Sequence, residues 1–385
     1  MNNQLSTDIC IIGGGICGLW CLRALTDAGF SCLLVEADTL GGIQTIASQG
    51  IIHSGLKYSL GGPSPHDLKD MPAYWRRCIS GEGEMDLCSV KVLADRVLMM
   101  AGRNLGADFT AFIASKLMAA EATPIDMAAD EPTHQLNISR QIYQLDDFVV
   151  DTHSLLQALV HPVHHLTIQA DCQLLEDGTV KLNNETSIRS SQIVLCAGAG
   201  NAELLASQSS SIAMQLRPLH QVMVTGELPD LYGHLVTAFS DKPRLTITTH
   251  PVSPGINCWY LGGELAESGV QRNKREQIDT ARSELAELVP ELALDRLHFD
   301  TLKIDRAEPA NASKRPGDAF VESFDHGFLC WPVKLTLAPL VAADLVNRLA
   351  GSTRPSTKTP EHDLRVPPVA LPPWLNSAVA GASSR

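Results

Sequence analysis

Two short stretches hold residues whose types and spacing could do chemistry. The first is Gly13-Gly14-Gly15-Ile16-Cys17-Gly18. Three glycines in a GxGxxG spacing sit between an apolar run, DICII (8–12), and a segment with apolar residues every three positions, Leu19, Leu22 and Leu25. In that setting each glycine has a separate job. Gly13 permits a tight turn, Gly15 lets backbone approach a pyrophosphate, and Gly18 lets helix and strand pack closely. The free N–H groups and positive dipole end of the helix then face the phosphates. Glu36 closes the next apolar run, eighteen residues beyond Gly18. A carboxylate there can accept ribose hydroxyls and would repel a 2′-phosphate. Together these residues predict a dinucleotide site.

The second stretch is "IQTIASQGIIHSGLKY", residues 43–58. It is too broken by glycine for a helix and too apolar for a solvated loop. Gly50 leaves room for a group passing close to the backbone, and Thr45 and Ser48 offer hydroxyls to it. His53 allows three readings: a general base, a ligand or tether of the passing group, or a packed histidine bonded to backbone.

The surrounding elements follow from periodicity. Residues 8–12 and SCLLVE (31–36) read as strands and the segment from Ile16 as a helix ended by Gly29, which makes a βαβ unit. Residues 66–80 and 105–120 have helical spacing, and 90–100 reads as strand. QIVLCAG reads as another buried strand. LTITTHPV and INCWYLGGEL read as strands of an antiparallel sheet, and 273–289 and 336–350 as helices. The fold class expected is α/β, α+β overall: a Rossmann-like dinucleotide domain with a second, mostly antiparallel mixed-sheet substrate domain. The expected boundaries are 1–90, 145–212 and 300–350 for the first domain and 91–144 and 213–299 for the second. Residues 351–385, with six prolines and no periodicity, read as an extended wrap that ends in disorder.

Composition narrows the function classes. The net charge of −13 over 385 residues argues against a general nucleic-acid binder and an anionic membrane surface. Any acidic ligand must be held by locally placed Arg or Lys. None of the ten cysteines forms a CxxC pair, so reduced, buried thiols of a cytoplasmic protein are expected rather than a disulfide framework. Cys17 lies at a helix start, which could lower its pKa, although packing against the sheet is its simpler role. No apolar run is long enough for a membrane span, and no signal peptide is apparent. HPVHH (161–165) lacks a partner carboxylate or Cys cluster, so no metal site is expected.

Two further segments identify the dinucleotide by resemblance. IVLCAGAGNAELL (193–205) resembles the second flavin-site segment of FAD oxidoreductases, and GFLCWPVKLTLAPLVAADLV (327–346) resembles their closing flavin segment. With IASQGIIHSGLKY, their order is similar to that of the D-amino-acid oxidase superfamily of flavoproteins. This superfamily includes glycine and sarcosine oxidases, L-2-hydroxyglutarate dehydrogenase and FAD-linked glycerol-3-phosphate dehydrogenase. The resemblance covers most of residues 5–350. It is strong in the FAD half and weak across 90–145 and 210–300.

The resemblance implies non-covalent FAD held by Gly13, Gly15, Gly18, Glu36, Thr45, Ser48, Gly50, Ile51, Ala197, Gly198, Leu335 and Thr336. It implies Arg306 as the partner of a substrate carboxylate, against the alternative of an ion pair with Asp305 or Glu308. Lys334 and the helix it opens would stabilise negative charge on the reduced cofactor, or Lys334 is simply solvated. Arg244, Tyr260 and His250 could also line the sheet facing the flavin. The expected reaction takes a hydride from the C–H beside an amine of a small acidic, amino-acid-like substrate. A 2-hydroxy acid or glycerol-phosphate-like alcohol is the alternative, as is an FAD-binding subunit of a larger dehydrogenase. An NAD-dependent dehydrogenase accounts for the first 36 residues but leaves 43–58 and 327–346 unexplained. The electron acceptor is oxygen or another molecule, and a homo-oligomer is left open.

Overall fold

A computed structural model describes residues 4–55, 68–102, 122–126, 131–183, 186–206, 208, 212–237, 242–310, 319–351 and 361–375. The helical reading of 105–120 and the end of the 43–58 stretch lie outside them.

The chain begins with β1 (Gln4–Ile12), α1 (Ile16–Asp27) and β2 (Cys32–Glu36). Further on come β3 (Ile51–Ile52), β4 (Phe148–Val150), α2 (Thr152–Val160) and β5 (Ser187–Leu195). Next are β6 (Met214–Gly226), β7 (Leu245–Ser253), β8 (Ile256–Gly262) and α3 (Lys274–Leu288). The last regular elements are β9 (His298–Pro309), β10 (Gly327–Trp331) and α4 (Ala338–Ala350).

β1 is central in the first sheet, parallel to β2 on one side and β5 on the other, and β5 is also parallel to β10. These strands read as unbroken apolar runs because both faces are covered. Alternate residues divide between the two faces. Ile9, Ile11, Leu34 and Val194 join the core with α1, α2 and α4, where Trp20 and Trp75 meet at 4.8 Å. Cys10, Ile12, Leu33, Val35, Ile193 and Leu195 form the opposite core. Helix α1 ends where the sequence suggests, with Gly29 at φ +91° and the Phe30 amide donating to the Leu25 carbonyl.

The second sheet runs β9-β6-β8-β7 and continues through Gly233–Val236, Val97–Gly102, Ser139–Leu145 and Thr123–Ile125. Among the described residues of this sheet, only the pairing of Gly233–Val236 with Val97–Gly102 is parallel. Helix α3 packs on this sheet and starts with a capping box, Asn273 with Glu276.

One boundary differs from the sequence reading. Residues 300–309, expected in the dinucleotide half, form β9 and pair antiparallel with β6 from Met214↔Pro309 to Thr225↔His298. Twelve paired positions outweigh the proximity in sequence to the closing segment. The chain rejoins the parallel sheet at Phe320–Phe324 and β10. Among the described residues, no helix is long and apolar enough to cross a membrane.

Candidate functional site

A cavity of about 1500 Å³ runs from the carboxyl ends of β1 and β2 to the β6–β9 edge of the antiparallel sheet. Open α/β sheets place ligands at that end of their strands. Gly13 has φ +105°, and an added Cβ would lie 2.5 Å from the Ala197 Cα, so the turn after β1 packs directly on the one after β5. At Gly18 an added Cβ would lie 1.9 Å from the Gly13 carbonyl oxygen. Gly18 therefore packs helix against turn and does not line the cavity. Gly15 does line it, at the start of α1.

Side chains fix this turn. Glu36 accepts from the Gly14 amide at 2.6 Å and the Asp38 amide at 3.1 Å. Thr45 accepts from the Ile16 amide at 3.0 Å, so a residue 29 positions away caps α1. Ser48 is half-buried and lines the cavity; its Oγ is buried with no hydrogen-bond partner among the described residues. Gly198, at φ +58°, has no atom within 4 Å of the place a Cβ would occupy. An orphaned hydroxyl, an open glycine and an oriented carboxylate on one long cavity fit a dinucleotide.

The predicted residues do not all reach the wall. Gly13, Gly15, Glu36, Thr45, Ser48, Ala197, Gly198, Leu335, Arg306 and Lys334 line it; Gly18, Gly50, Ile51, Thr336 and His53 do not. Gly50 is glycine for another reason than the one expected. It has φ +69°, and a Cβ would lie 2.1 Å from the Val150 carbonyl oxygen in β4. Ile51 is buried in the small sheet of β3 and β4. Thr336 is fully buried; its Oγ1 accepts from the His53 amide at 3.3 Å and its carbonyl accepts from Trp75 Nε1 at 3.0 Å. His53 is itself only 5% exposed, and residues 56–67 after it lie outside the described set.

The far wall is made by the antiparallel sheet. Arg306 lies opposite Arg217 across the β6–β9 pair. Arg217 holds Glu308 at 3.0 and 3.1 Å, while Arg306 Nη2 lies 3.7 Å from Glu267, which Lys242 holds at 2.5 Å. Glu308 is thus the partner of Arg217, and Arg306 lies within ion-pair reach of Glu267 on the neighbouring helix. Arg217, Arg306 and Lys242 thus gather around Glu308 and Glu267 beside the cavity.

Gln49, inside the stretch the sequence sets beside the passing group, and Gln221, which sequence reasoning passed over, also line the wall. Gln49 Nε2 donates to the Tyr260 carbonyl at 2.8 Å, and the Tyr260 hydroxyl lies 3.0 Å from the Ala47 carbonyl and 2.7 Å from Gln221 Oε1. No motif marks Gln221, since its place depends on strand pairing. Tyr260 supports the wall from behind. Arg244 instead grips Glu284 and Glu287 on α3, and His250 is buried behind the sheet.

The thiols are reduced, and eight of the ten are buried. The Sγ atoms of Cys17, Cys21 and Cys196 lie within 4.8 Å of one another. The Cys17 thiol is pushed up, first by its hydrogen bond with Cys196 and then by burial, so the helix start does not activate it. Burial pushes Cys330, on the cavity wall, up to about 12.

The family description "FAD dependent oxidoreductase" (DAO) matches residues 8–310. The protein from Pseudomonas aeruginosa named probable FAD-dependent oxidoreductase PA4991 is 38% identical over 97% of this chain and 99% of its own length. Its crystal structure superposes with a TM-score of 0.82 at 36% identity, over 98% of this chain and 100% of that one. Glycine oxidase from Geobacillus kaustophilus shares the fold at a TM-score of 0.65 and 16% identity, over 89% and 95% of the two chains. L-α-glycerophosphate oxidase from Mycoplasma pneumoniae, solved with FAD bound, does so at 0.65 and 15%, over 92% and 97%.

Proposed function

This chain belongs to the DAO family of FAD-dependent oxidoreductases, and from that premise we propose that it oxidises the C–H bond beside the amine of a small, amino-acid-like acid. The observation that carries the reading is the placing of Arg306 and Lys334 on the same cavity as the Gly13–Gly15 turn and Glu36. Bound FAD supplies the two-electron acceptor for that C–H bond.

The chain's own residues do the rest. The α1 start, with Gly13 and Gly15, holds the pyrophosphate, and Glu36 takes the ribose hydroxyls with its remaining lone pairs. The hydroxyls of Thr45 and Ser48 complete the hydrogen bonding along the chain between the two ends. Ala197, Gly198 and Leu335, all on the cavity wall, would hold the cofactor close to backbone. Arg306 orients the substrate carboxylate by a two-pronged hydrogen bond. Lys334 and the helical turn it opens offer positive charge where the cofactor becomes negative. The burial of Gly18, Gly50, Ile51 and Thr336 gives them a supporting role behind the wall.

The place of His53 favours the amine over the alcohol. Removing a hydride from an alcohol calls for a base on the hydroxyl, whereas a neutral amine needs none. His53, the candidate base, does not line the cavity. Glycine oxidase and glycerophosphate oxidase both share the fold, so the fold does not choose between the two bonds.

The test is anaerobic reduction of the purified FAD-loaded protein, read from the visible flavin band. Pooled amino acids are added first, then pooled 2-hydroxy acids and glycerol phosphate. Bleaching by the amino-acid pool is expected. Bleaching by the second pool alone would overturn the amine reading, and bleaching by neither would overturn oxidation of small acids by this chain alone.

A further inference from the structure

The segment after α4 has no part in the site as described, yet it is tied across the whole molecule. The Gln169 amide donates to the Arg365 carbonyl at 2.7 Å, and the Leu40 amide to the Pro368 carbonyl at 2.9 Å. The Ala370 amide returns a bond to the Leu40 carbonyl at 3.0 Å, and His153 Nδ1 lies 2.8 Å from the Ala370 carbonyl. Residues 365–370 are therefore fastened to the parallel-sheet half. A few residues later the chain leaves that half, and Trp374 enters the core of the antiparallel sheet among Met223, Cys258 and Tyr260.

Trp374 is only 2% exposed. Its ring stacks on His250 at 3.9 Å and meets the Tyr260 ring at 5.5 Å. Tyr260 is the group whose hydroxyl reaches the Ala47 carbonyl and Gln221, and whose carbonyl accepts from Gln49. Ala47, Gln49 and Gln221 all line the cavity, and they come from both halves of the molecule. A continuous line of contacts thus runs from the strap to the wall. Interiors packed at crystal density pass on displacements, and a buried hydroxyl with two partners has little freedom to absorb one.

We propose that residues 365–375 are a strap that sets the cavity wall through Trp374 and Tyr260, which makes these two positioning residues for what the cavity binds. The proposal rests on the reading of the cavity as the FAD site. The strap holds Ala47, Gln49 and Gln221 in register by pressing the Tyr260 ring from behind. It touches neither cofactor nor substrate.

The test uses the full-length chain with FAD as the probe. Trp374→Ala, Trp374→Phe, Tyr260→Phe and the Trp374→Ala/Tyr260→Phe double variant are compared. Three quantities are read: the visible circular dichroism of the bound flavin, the FAD dissociation constant, and Tm. Both Trp374→Ala and Tyr260→Phe should alter the flavin dichroism in the same sense and weaken FAD binding by about tenfold, the scale of one lost buried hydrogen bond. The double variant should be no worse than the stronger single, because both break one line of contacts. Trp374→Phe should restore most of the effect. A strap that is only a staple would lower Tm and leave the flavin signal and FAD affinity at wild-type values, which overturns the proposal, as would additive singles. Should Trp374→Ala not fold, Trp374→Leu, which keeps an apolar plug but loses the ring contact, decides the matter by the same two readouts. A wild-type chain that binds no FAD would instead overturn the cavity assignment itself.

Discussion

In the turn at Gly13 and Gly15 the cavity wall is backbone, backed by Gly18, while along β6 and β9 it is side chains. The turn is built from contacts that no Cβ could share: 2.5 Å at Gly13 and 1.9 Å at Gly18. The sheet wall is built from charges and amides, Arg306 and Gln221 from the strands and Gln49 from the loop before β3, held by partners on other elements. The first kind of wall tolerates almost no change of residue type and offers backbone groups common to all dinucleotide sites. The second can be rewritten one side chain at a time, which is where members of one fold can differ in substrate.

The largest effect is expected where the backbone wall is broken. Gly18→Ala puts a methyl group into the Gly13 carbonyl, and the expected outcome is loss of the folded protein or of all bound flavin, a cost of about 4 kcal/mol or more. Gly198→Ala sharpens the contrast, because open space surrounds that Cβ position and only its φ of +58° is strained. Strain of about 1–2 kcal/mol should leave a folded chain with weaker FAD binding. Flavin-to-protein ratio and Tm separate the two; equal damage would remove the distinction.

Next is Glu36→Gln, which keeps the shape and removes the charge. Hydrogen bonds to a charged group are worth about 1.5–3 kcal/mol, so FAD affinity should fall by about 10- to 100-fold. Titration of the apoprotein with FAD reads this directly, and an unchanged affinity would mean that Glu36 serves only the Gly14 and Asp38 amides. On the side-chain wall, Arg306→Lys keeps the charge and loses the fork. An increase in KM of about tenfold for a carboxylate substrate, with Tm and bound flavin near wild type, is expected. If Arg306→Lys instead lowers the flavin content, the two walls are not separable.

The same contrast explains what could be read without the fold. The β1–α1–β2 unit was legible because backbone geometry demands glycine at fixed offsets and burial on both faces demands apolar runs. Gly50 shows the limit of that logic. The sequence reads Gly50 as leaving room for a passing group, whereas the crowding atom is the Val150 carbonyl, a hundred residues away in β4. Thr45 and Thr336 show the same limit: their hydroxyls serve the Ile16 and His53 amides across long sequence separations. Residues 300–309 were placed with the closing segment because they adjoin it in sequence, whereas pairing with β6 decides their sheet. Tyr260 is a candidate in the sequence, but Gln221 carries no signal there and meets it only through the β6–β8 register. The apparent freedom of the proline-rich tail hid the buried Trp374.

The last effect concerns acid, and it separates the halves by their response to pH. Burial alone pushes His250 down to about 3; its Nε2 lies 3.0 Å from Thr248 Oγ1, and Trp374 stacks on its ring. The unfolded chain binds a proton on this histidine near pH 6.5. The folded chain refuses it until about pH 3, so the folded pKa is the lower of the two. The stability it contributes is complete above pH 6.5 and is lost progressively as pH falls toward the folded value. At pH 5 the loss should be about 2 kcal/mol, from roughly 1.4 kcal/mol per pH unit. Because His250 packs against Trp374, mild acid should loosen the strap and the wall behind Gln221 before it disturbs the Gly13–Gly18 turn. The His250→Gln variant removes the titrating group, so its Tm should fall less between pH 8 and pH 5 than that of the wild type. Limited proteolysis at pH 5 should cut the wild-type chain after residue 370 earlier than at pH 8, with the β1–α1–β2 unit still protected. An identical pH dependence of Tm in the variant would place the acid-sensitive group elsewhere and leave the two walls alike in this respect.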